Sequence, residues 1–416
     1  MHILFAALGY KPAYRIGGPI TVLTAIAERL VLRGHRVTVF TTNSNLDCDL
    51  NVPTDQPVDV DGVEVWYFRR RELIKTAFSF ISYLSKSIGY LYAPRMRSEL
   101  DRIIPSVDVV HTLNPFVYPT HAAAKAALRH GKPLFYHQHG ALSPDHLRFR
   151  SFKKQIMIYL IEKAILSKAT MLFSLTDYET QSYRHLVTRV PCEIIPNGID
   201  VNDYWEEIPS EWHDKLRIDR KHPVILFLGR IHPTKGAERL LKAFGRVSAH
   251  YPNAVLVMAG PDEYGAQKSM HRHLGAKVQE RVLFPGMVSG DMKKALLARA
   301  DLFCLPSDAE GFSMAALEAL ASRTAVLLSP GFHFPKVAAA GAGRICSPRS
   351  KEIASTMTEL LADRESLFQM GSKGREFVSR YNWDHVIDKL LCAYERGISL
   401  HRGMQNRMDD AAICPS

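Results

Sequence analysis

The chain has 416 residues, of which 46% are hydrophobic and 23% charged, a balance that is typical of globular proteins and long enough for two domains. No uninterrupted run of 18 apolar residues occurs, which argues against a membrane-spanning helix. The net charge of +11 favours anionic partners, but no recognition motif with interleaved aromatic residues accompanies it, so we predict no nucleic-acid partner.

The six cysteines are scattered and form no C-x-x-C pair. This pattern predicts reduced thiols in a cytoplasmic protein, with neither a zinc site nor a disulfide framework. The N-terminal stretch MHILFAALGY lacks a basic region before its apolar residues. It therefore predicts a first β-strand and not a signal peptide.

The first forty residues predict a strand (3–8), a loop, a helix that ends at Gly34, and a second strand (36–42). This order is typical of a parallel sheet with right-handed crossovers. The loop carries Gly17-Gly18 but not G-x-G-x-x-G, which argues against a dehydrogenase. The two glycines either let the backbone approach a diphosphate or simply form a turn.

Asp59-Val60-Asp61 has the spacing of a metal-binding D-x-D motif. It precedes a strand (63–68) and has no other ligand-type residues clustered beside it, so we interpret it as a turn and predict no metal site.

Apolar runs at 107–112, 133–139 and 171–175 predict further strands. Ligands bind outside the carboxyl ends of strands in open parallel sheets, and His139 lies at such an end. It is either a structural histidine or part of a reaction site. Pro196-Asn197-Gly198 is a turn signal in mid-chain and suits a connection between domains.

A second strand–loop–helix pattern begins at Val224 and leads into a helix at 237–247, with later strands at 254–259, 282–284 and 325–328. Arg230 and Lys235 flank the first loop of this half. Two cations at a helix start can neutralise a diphosphate, although surface charges would give the same pattern.

Residues 301–323 carry the most candidate site residues of the chain. Their pattern predicts a strand (302–305), a break at Pro306 and a helix at 313–321. Glu310 and Glu318 flank the helix start with seven residues between them. Glu318 falls on an otherwise apolar helix face, where a carboxylate needs hydrogen-bond donors such as sugar hydroxyls. Alternatively, one glutamate is a solvated loop acid and the other a helix-surface acid.

Pro306-Ser307, Glu310-Gly311-Phe312 and Glu318-Ala319-Leu320 together resemble the Glu-x7-Glu signature of the retaining glycosyltransferase family 4. The resemblance implies that Glu310 contacts the donor sugar and Glu318 the nucleotide ribose. Ser313 stands where this family usually has glycine, and Arg323-Thr324-Ala325 replaces the commoner Gly-x-Pro. By the same resemblance, the catalytic residues are Glu310 and His139, and the donor-binding residues are Gly17, Gly18, Arg230, Lys235, Gly311, Phe312, Ser313 and Glu318.

The resemblance implies an α/β fold with two doubly wound, Rossmann-like parallel sheets facing across a cleft, the GT-B arrangement. The expected organisation is an acceptor-side domain (1–198), a nucleotide-sugar domain (199–378), a helix returning to the first domain (379–397) and a disordered tail (398–416).

The implied activity is metal-independent transfer of a hexose from a UDP- or GDP-sugar, with retention, to a glycan or lipid-linked acceptor in envelope or extracellular polysaccharide synthesis. No cofactor is expected beyond this donor. Two alternatives remain: a nucleotide-sugar epimerase of the same fold, and a nucleotide-sugar-binding protein without catalysis.

Two apolar stretches next to basic clusters indicate where in the cell the protein acts. Residues 74–91 form one helical stripe behind Arg69-Arg70-Arg71, and residues 156–165 follow the cluster of Arg148, Arg150, Lys153 and Lys154. Either helix could pack in the core. We nevertheless predict peripheral association with the anionic inner face of the cytoplasmic membrane, since each basic residue near such a surface contributes about 1 kcal/mol.

Overall fold

A computed structural model of the chain describes residues 1–46, 48–71, 91–148, 151–262, 265, 267–268 and 274–413. The chain divides into two compact units. The first comprises Met1–Asn197 and Trp383–Ser416, and the second Gly198–Asn382. The predicted helix at 74–91 lies outside the described residues except for its last residue. In the described part of the chain, no helix is long and apolar enough to cross a membrane.

The described residues of the first unit form an eight-stranded sheet with the order β10-β9-β8-β7-β1-β2-β6-β5. Neighbouring strands are parallel except for the antiparallel pair β5 and β6. Two further strands, β3 and β4, form a small separate hairpin. The ten strands are β1 His2–Ala6, β2 Arg36–Thr42, β3 Ser44–Asn45, β4 Cys48–Asp49, β5 Pro57–Val60, β6 Val63–Phe68, β7 Val109–Leu113, β8 Leu134–His137, β9 Met171–Ser174 and β10 Cys192–Ile194.

Helices connect the parallel strands of this unit. They are α1 Gly18–Leu32, α2 Arg95–Ile103, α3 Tyr118–Arg129, α4 Pro144–Arg148, α5 Ser151–Met157, α6 Lys163–Leu166 and α7 Asp177–Arg184. A π-helical turn, Ile158–Glu162, joins α5 to α6, and 3₁₀ turns occupy Tyr14–Ile16 and Ile104–Ser106. Strands β1, β7, β8 and β9 are buried along their whole length, because the helices cover both faces of a parallel sheet.

The Asp-Val-Asp segment runs from the last two residues of β5 into a hairpin turn. Asp61 and Gly62 connect β5 to β6 and both have positive φ, 54° and 79°, as a two-residue type I′ turn requires. Asp59 accepts a hydrogen bond from the Gly62 amide at 3.2 Å. The prediction of a turn is confirmed.

The described residues of the second unit form a six-stranded, wholly parallel sheet with the order β13-β12-β11-β14-β15-β16. Its strands are β11 Val224–Leu228, β12 Val255–Ala259, β13 Val282–Gly286, β14 Leu302–Leu305, β15 Ala325–Leu328 and β16 Gly343–Ile345. This is the 3-2-1-4-5-6 order of a doubly wound nucleotide-binding sheet. The order in which strands are added to the sheet reverses between β11 and β14. The loops after these two strands therefore flank the crevice where such sheets bind ligands.

The helices of this unit are α8 Ser210–Leu216, α9 Ala237–His250, α10 Ala276–Gln279, α11 Gly290–Arg299, α12 Met314–Ala321, α13 Lys336–Ala339, α14 Ser350–Leu361 and α15 Arg364–Val378. Its 3₁₀ turns are Val201–Asp203, Pro233–Lys235, Pro330–Phe332 and Ser379–Tyr381. The two Rossmann-like parallel sheets, one in each unit, confirm the predicted fold class.

The last helix, α16 Trp383–Ile413, belongs to the first unit. The sequence pattern predicts a helix that ends at Gly397 and a disordered tail after it, whereas the structure continues the helix to Ile413. A Cβ on Gly397 would lie 2.4 Å from the Phe135 ring. This glycine therefore marks a close helix–sheet contact and not a helix end, and His401 beyond it bonds to the Gly131 carbonyl at 2.9 Å.

Candidate active site

The loops after β11 and β14 are bonded to each other at the switch point of the second unit. The Thr234 carbonyl accepts from the Asp308 amide at 2.8 Å and from the Ser307 hydroxyl at 3.0 Å. Gly236 has φ of 71°, and a Cβ there would lie 2.2 Å from the Pro306 carbonyl oxygen. Glycine is thus required for these loops to approach so closely.

Lys235 and Glu310 meet between these loops. Lys235 Nζ lies 2.5 Å from Glu310 Oε1, and Glu310 is only 8% exposed. The Glu310 amide donates to the Gly331 carbonyl at 2.9 Å. A Cβ on Gly331 would lie 2.4 Å from the Asp308 carbonyl oxygen, so the 3₁₀ turn after β15 also approaches this loop closely. A charge-assisted pair of this kind orients both side chains.

Helix α12 begins directly after the acidic loop. Ser313 is its N-cap residue, and its side chain makes no capping hydrogen bond within the described part of the chain. The first amides of the helix can therefore bind an anion. Phe312 packs against Phe334 and Tyr381, with ring centroids 4.9 and 5.2 Å apart, which holds the loop at the helix start.

Glu318 lies on α12 and is only 5% exposed. Its carboxylate accepts from Lys293 Nζ at 2.8 Å and from the Tyr204 hydroxyl. Burial, and then the Glu318 charge, raise the pKa of Tyr204, so its hydroxyl stays protonated and donates. The carboxylate at this position does have hydrogen-bond donors. They are Lys293 and Tyr204, which the sequence pattern did not identify.

A second ion pair that the sequence did not predict joins Arg239 to Asp308, 2.8 Å apart. Arg239 also donates a hydrogen bond to the Pro306 carbonyl. No local pattern identifies these partners, because each pair joins elements that are distant in the chain. Arg230 lies two residues after β11 and is half-buried. The structure therefore brings Lys235, Glu310 and the start of α12 together at the switch point, with Glu318 on the same helix.

Gly17, Gly18 and His139 belong to the first unit. Gly17 has φ of 97° and is the N-cap of α1, and Gly18 is the first helical residue. The loop that carries them follows β1, which borders the switch point of this sheet between β1 and β7. The glycine pair therefore lies at the carboxyl edge of this sheet. The approach of a diphosphate to its backbone stays a prediction.

His139 lies two residues beyond β8, in a turn where its φ is 47°. Its ring stacks on His137 with centroids 3.9 Å apart. Its Nε2 is buried without a hydrogen-bond partner among the described residues. Burial lowers the pKa of His139 to about 4, so the ring is neutral at physiological pH and Nε2 can donate or accept one hydrogen bond.

Glu179 supports the turn that carries His139. It is buried and accepts hydrogen bonds from the amides of Leu175, at 2.9 Å, and Gly140. Burial raises the pKa of Glu179 to about 7. The Thr176-x-x-Glu179 spacing suggests a helix cap, and Thr176 does accept from the Glu179 amide at 3.3 Å. That spacing does not reveal the contact with Gly140.

Glu179 should make stability depend on pH. Its folded-state pKa is raised from 4.5 to about 7, so its contribution is complete below pH 4.5 and is lost as the pH rises through 7. We expect the free energy of unfolding of the wild type, relative to Glu179→Gln, to fall by about 3 kcal/mol over that interval. Chemical denaturation of both proteins between pH 4.5 and 8 measures this difference. A difference that is constant with pH would contradict the expectation.

Two family models match this chain. The model described as "Glycosyltransferase Family 4" matches residues 16–203, and "Glycosyl transferases group 1" matches residues 209–377. The matches cover both Rossmann-like units and include the Lys235–Glu310 site. The fold and site thus define a two-domain glycosyltransferase. The chain belongs to the group 1 and family 4 glycosyltransferases.

Similar proteins agree with this assignment. The D-inositol 3-phosphate glycosyltransferase of Nocardia farcinica is 25% identical over 80% of this chain and 69% of its own length. The GDP-mannose:cellobiosyl-diphosphopolyprenol alpha-mannosyltransferase of Xanthomonas oryzae pv. oryzae is 26% identical over 76% and 82%. The structure of Anabaena HepE with UDP and glucose has a TM-score of 0.72 at 19% identity, covering 95% of this chain and all of that one.

Proposed function

We propose that this glycosyltransferase transfers a hexose from a UDP- or GDP-sugar to a phosphorylated glycan or lipid-linked acceptor, with retention and without a metal ion or cofactor. The observation that carries the proposal is the Lys235–Glu310 pair, 2.5 Å apart, beside the uncapped start of α12. A buried carboxylate, a cation and free helix amides at one switch point suit a sugar joined to a diphosphate.

The proposed chemistry needs stabilisation of the leaving diphosphate above all. Lys235, Arg230 and the α12 amides neutralise its charge while the bond from the anomeric carbon to the phosphate oxygen breaks. Glu310 positions the sugar through its hydroxyls, and Glu318 binds the ribose. The acceptor oxygen forms the new glycosidic bond on the same face, and its proton passes to the departing phosphate. Neutral His139 orients the acceptor or a sugar hydroxyl.

The names of the relatives support the choice of donor and acceptor. One uses GDP-mannose and a diphosphopolyprenol-linked sugar, another acts on D-inositol 3-phosphate, and HepE binds UDP. A phosphate-bearing acceptor is common to the first two. The diphosphopolyprenol-linked acceptor in the name of the Xanthomonas relative supports the proposal of a role in envelope or extracellular polysaccharide synthesis.

Peripheral membrane association forms part of this proposal. In the stretch after the second basic cluster, Ile158 and Ile165 are buried, whereas Ile156, Tyr159 and Leu160 are 37%, 72% and 74% exposed. Lys163 is exposed on the same helical stretch. An apolar face beside a cation suits the interfacial region of an anionic membrane, on the cytoplasmic side where nucleotide-sugars are made.

A thermal-shift panel of UDP-, GDP- and ADP-sugars tests the proposal. The correct donor should stabilise the protein by about 2.7 kcal/mol at a hundredfold excess over its Kd. Transfer should continue after prolonged treatment with EDTA, and NMR of the product should show the donor's anomeric configuration. The proposal fails if no nucleotide-sugar shifts the melting temperature, and its metal-free mechanism fails if manganese restores activity lost to EDTA.

A further inference from the structure

A cavity of about 270 Å³ lies in the first unit where β6 ends. Three of its lining residues are arginines, and one is an acid. The lining residues are Thr54, Asp55, Arg69, Arg71, Pro94 and Arg95.

Backbone hydrogen bonds join the three segments that line the cavity. The Asp55 amide donates to the Tyr67 carbonyl at 2.9 Å, and the Arg69 amide donates to Asp55 Oδ1 at 3.3 Å. The Arg71 amide donates to the Tyr92 carbonyl at 2.8 Å. These bonds hold the three backbone segments side by side, so that arginines from two of them line one cavity.

The arginine charges exceed the acidic charge of the cavity. Asp55 is the one acid among the described residues that line the cavity, and it lies 3.7 Å from the Arg95 guanidinium. Within the described ranges, neither Arg69 nor Arg71 forms an ion pair. Arg70 differs, because its guanidinium bonds to Asp49 at 2.6 Å. The basic cluster thus divides into one structural arginine and two that face the cavity.

Helix α2 adds to the positive potential. It starts at Arg95, has no acidic residue in its first turn, and receives no capping hydrogen bond from its N-cap residue Pro94. Cations at a helix N-terminus are unfavourable for the helix itself, since that end is already positive. A bound anion would relieve this repulsion.

We propose that this arginine cavity binds a phosphate or diphosphate group of the acceptor. Arginine forms paired hydrogen bonds to phosphate oxygens, and the cavity lies at the same carboxyl edge of the sheet as His139. The identification of the ligand as the acceptor rests on the proposed function. The phosphate site itself rests only on the geometry and charge of the first unit.

Calorimetric titration with inorganic pyrophosphate, in low salt and with saturating UDP to occupy the second unit, tests the site. The wild type should bind one pyrophosphate, and Arg69→Gln/Arg71→Gln and Arg95→Gln should each weaken binding at least tenfold. Arg97→Gln is the matched control, because Arg97 is exposed on α2 but does not line the cavity. Absence of binding to the wild type, or an equal loss in Arg97→Gln, would overturn the proposal.

Vesicles distinguish a phosphate site from a membrane surface. Phosphatidylglycerol and phosphatidylcholine vesicles are compared by co-sedimentation with the same variants. If the two arginines are needed for phosphatidylglycerol binding but pyrophosphate does not bind, they serve a surface and the proposal is wrong. If pyrophosphate binding depends on the arginines but no nucleotide-sugar shifts the melting temperature, the phosphate site is supported and the proposed function is wrong.

Discussion

Replacement of Glu310 by glutamine is expected to lower the turnover number by about 10²-fold or more, the effect typical of losing one preorganised transition-state group. Glutamine keeps the shape of the side chain but removes the negative charge that faces Lys235 at 2.5 Å. It also turns one acceptor oxygen into a donor, so the sugar hydroxyls lose their orientation. Steady-state transfer with saturating donor and acceptor measures the change.

Glu280→Gln is the matched control, since this glutamate is exposed in the same unit and should leave turnover unchanged. Nucleotide binding to Glu310→Gln, followed by thermal shift, should persist. Turnover equal to that of the wild type would remove Glu310 from the reaction. Loss of turnover with retained nucleotide binding would also argue against a binding protein without catalysis.

Lys235→Ala should both weaken donor binding and slow transfer, with a combined loss in kcat/KM of about 10- to 100-fold. This corresponds to the roughly 1.5–3 kcal/mol of a hydrogen bond to a charged group. The diphosphate is charged before the reaction and gains charge as it leaves, so both steps depend on the cation. The change also leaves buried Glu310 without its ion-pair partner. Initial rates over a range of donor concentrations separate KM from kcat.

Lys242→Ala is the control for charge alone, because Lys242 pairs with Glu238 on the exposed side of the helix that follows the same loop. The double variant Lys235→Ala/Glu310→Gln should lose less than the sum of the single losses, since the two side chains share one interaction. Strictly additive losses would show that the ion pair does not couple the two residues during transfer.

Much of the second unit could be predicted from the sequence. The strands Leu302–Leu305 and Ala325–Leu328 have their predicted bounds, and α12 begins one residue after its predicted start. These strands are buried on both faces, so their apolar runs are continuous, and Pro306 ends the first of them. Local patterns such as these depend on neighbouring residues only.

Some local signals had more than one structural cause. Gly397 suggested a helix end, but it is the point at which α16 contacts Phe135. His139 was the last residue of the predicted strand at 133–139, yet β8 ends at His137 and His139 adopts a left-handed turn. The type of a residue does not show what packs against it, so the sequence predicted neither the contact of Gly397 with Phe135 nor the left-handed turn at His139.

The sequence by itself determined the parallel α/β units, the turn before β6 and the acidic motif with its helix, because each depends on short-range periodicity or turn chemistry. Only the tertiary structure decided which charges meet. Lys235 and Glu310 are 75 residues apart, Arg239 and Asp308 are 69, and Lys293 and Glu318 are 25. The arginine cavity likewise forms only because the segment after β6, with Arg69 and Arg71, lies beside the start of α2 at Arg95. Parallel strands place distant loops at one sheet edge, and the side chains that meet there are selected by packing across the whole unit.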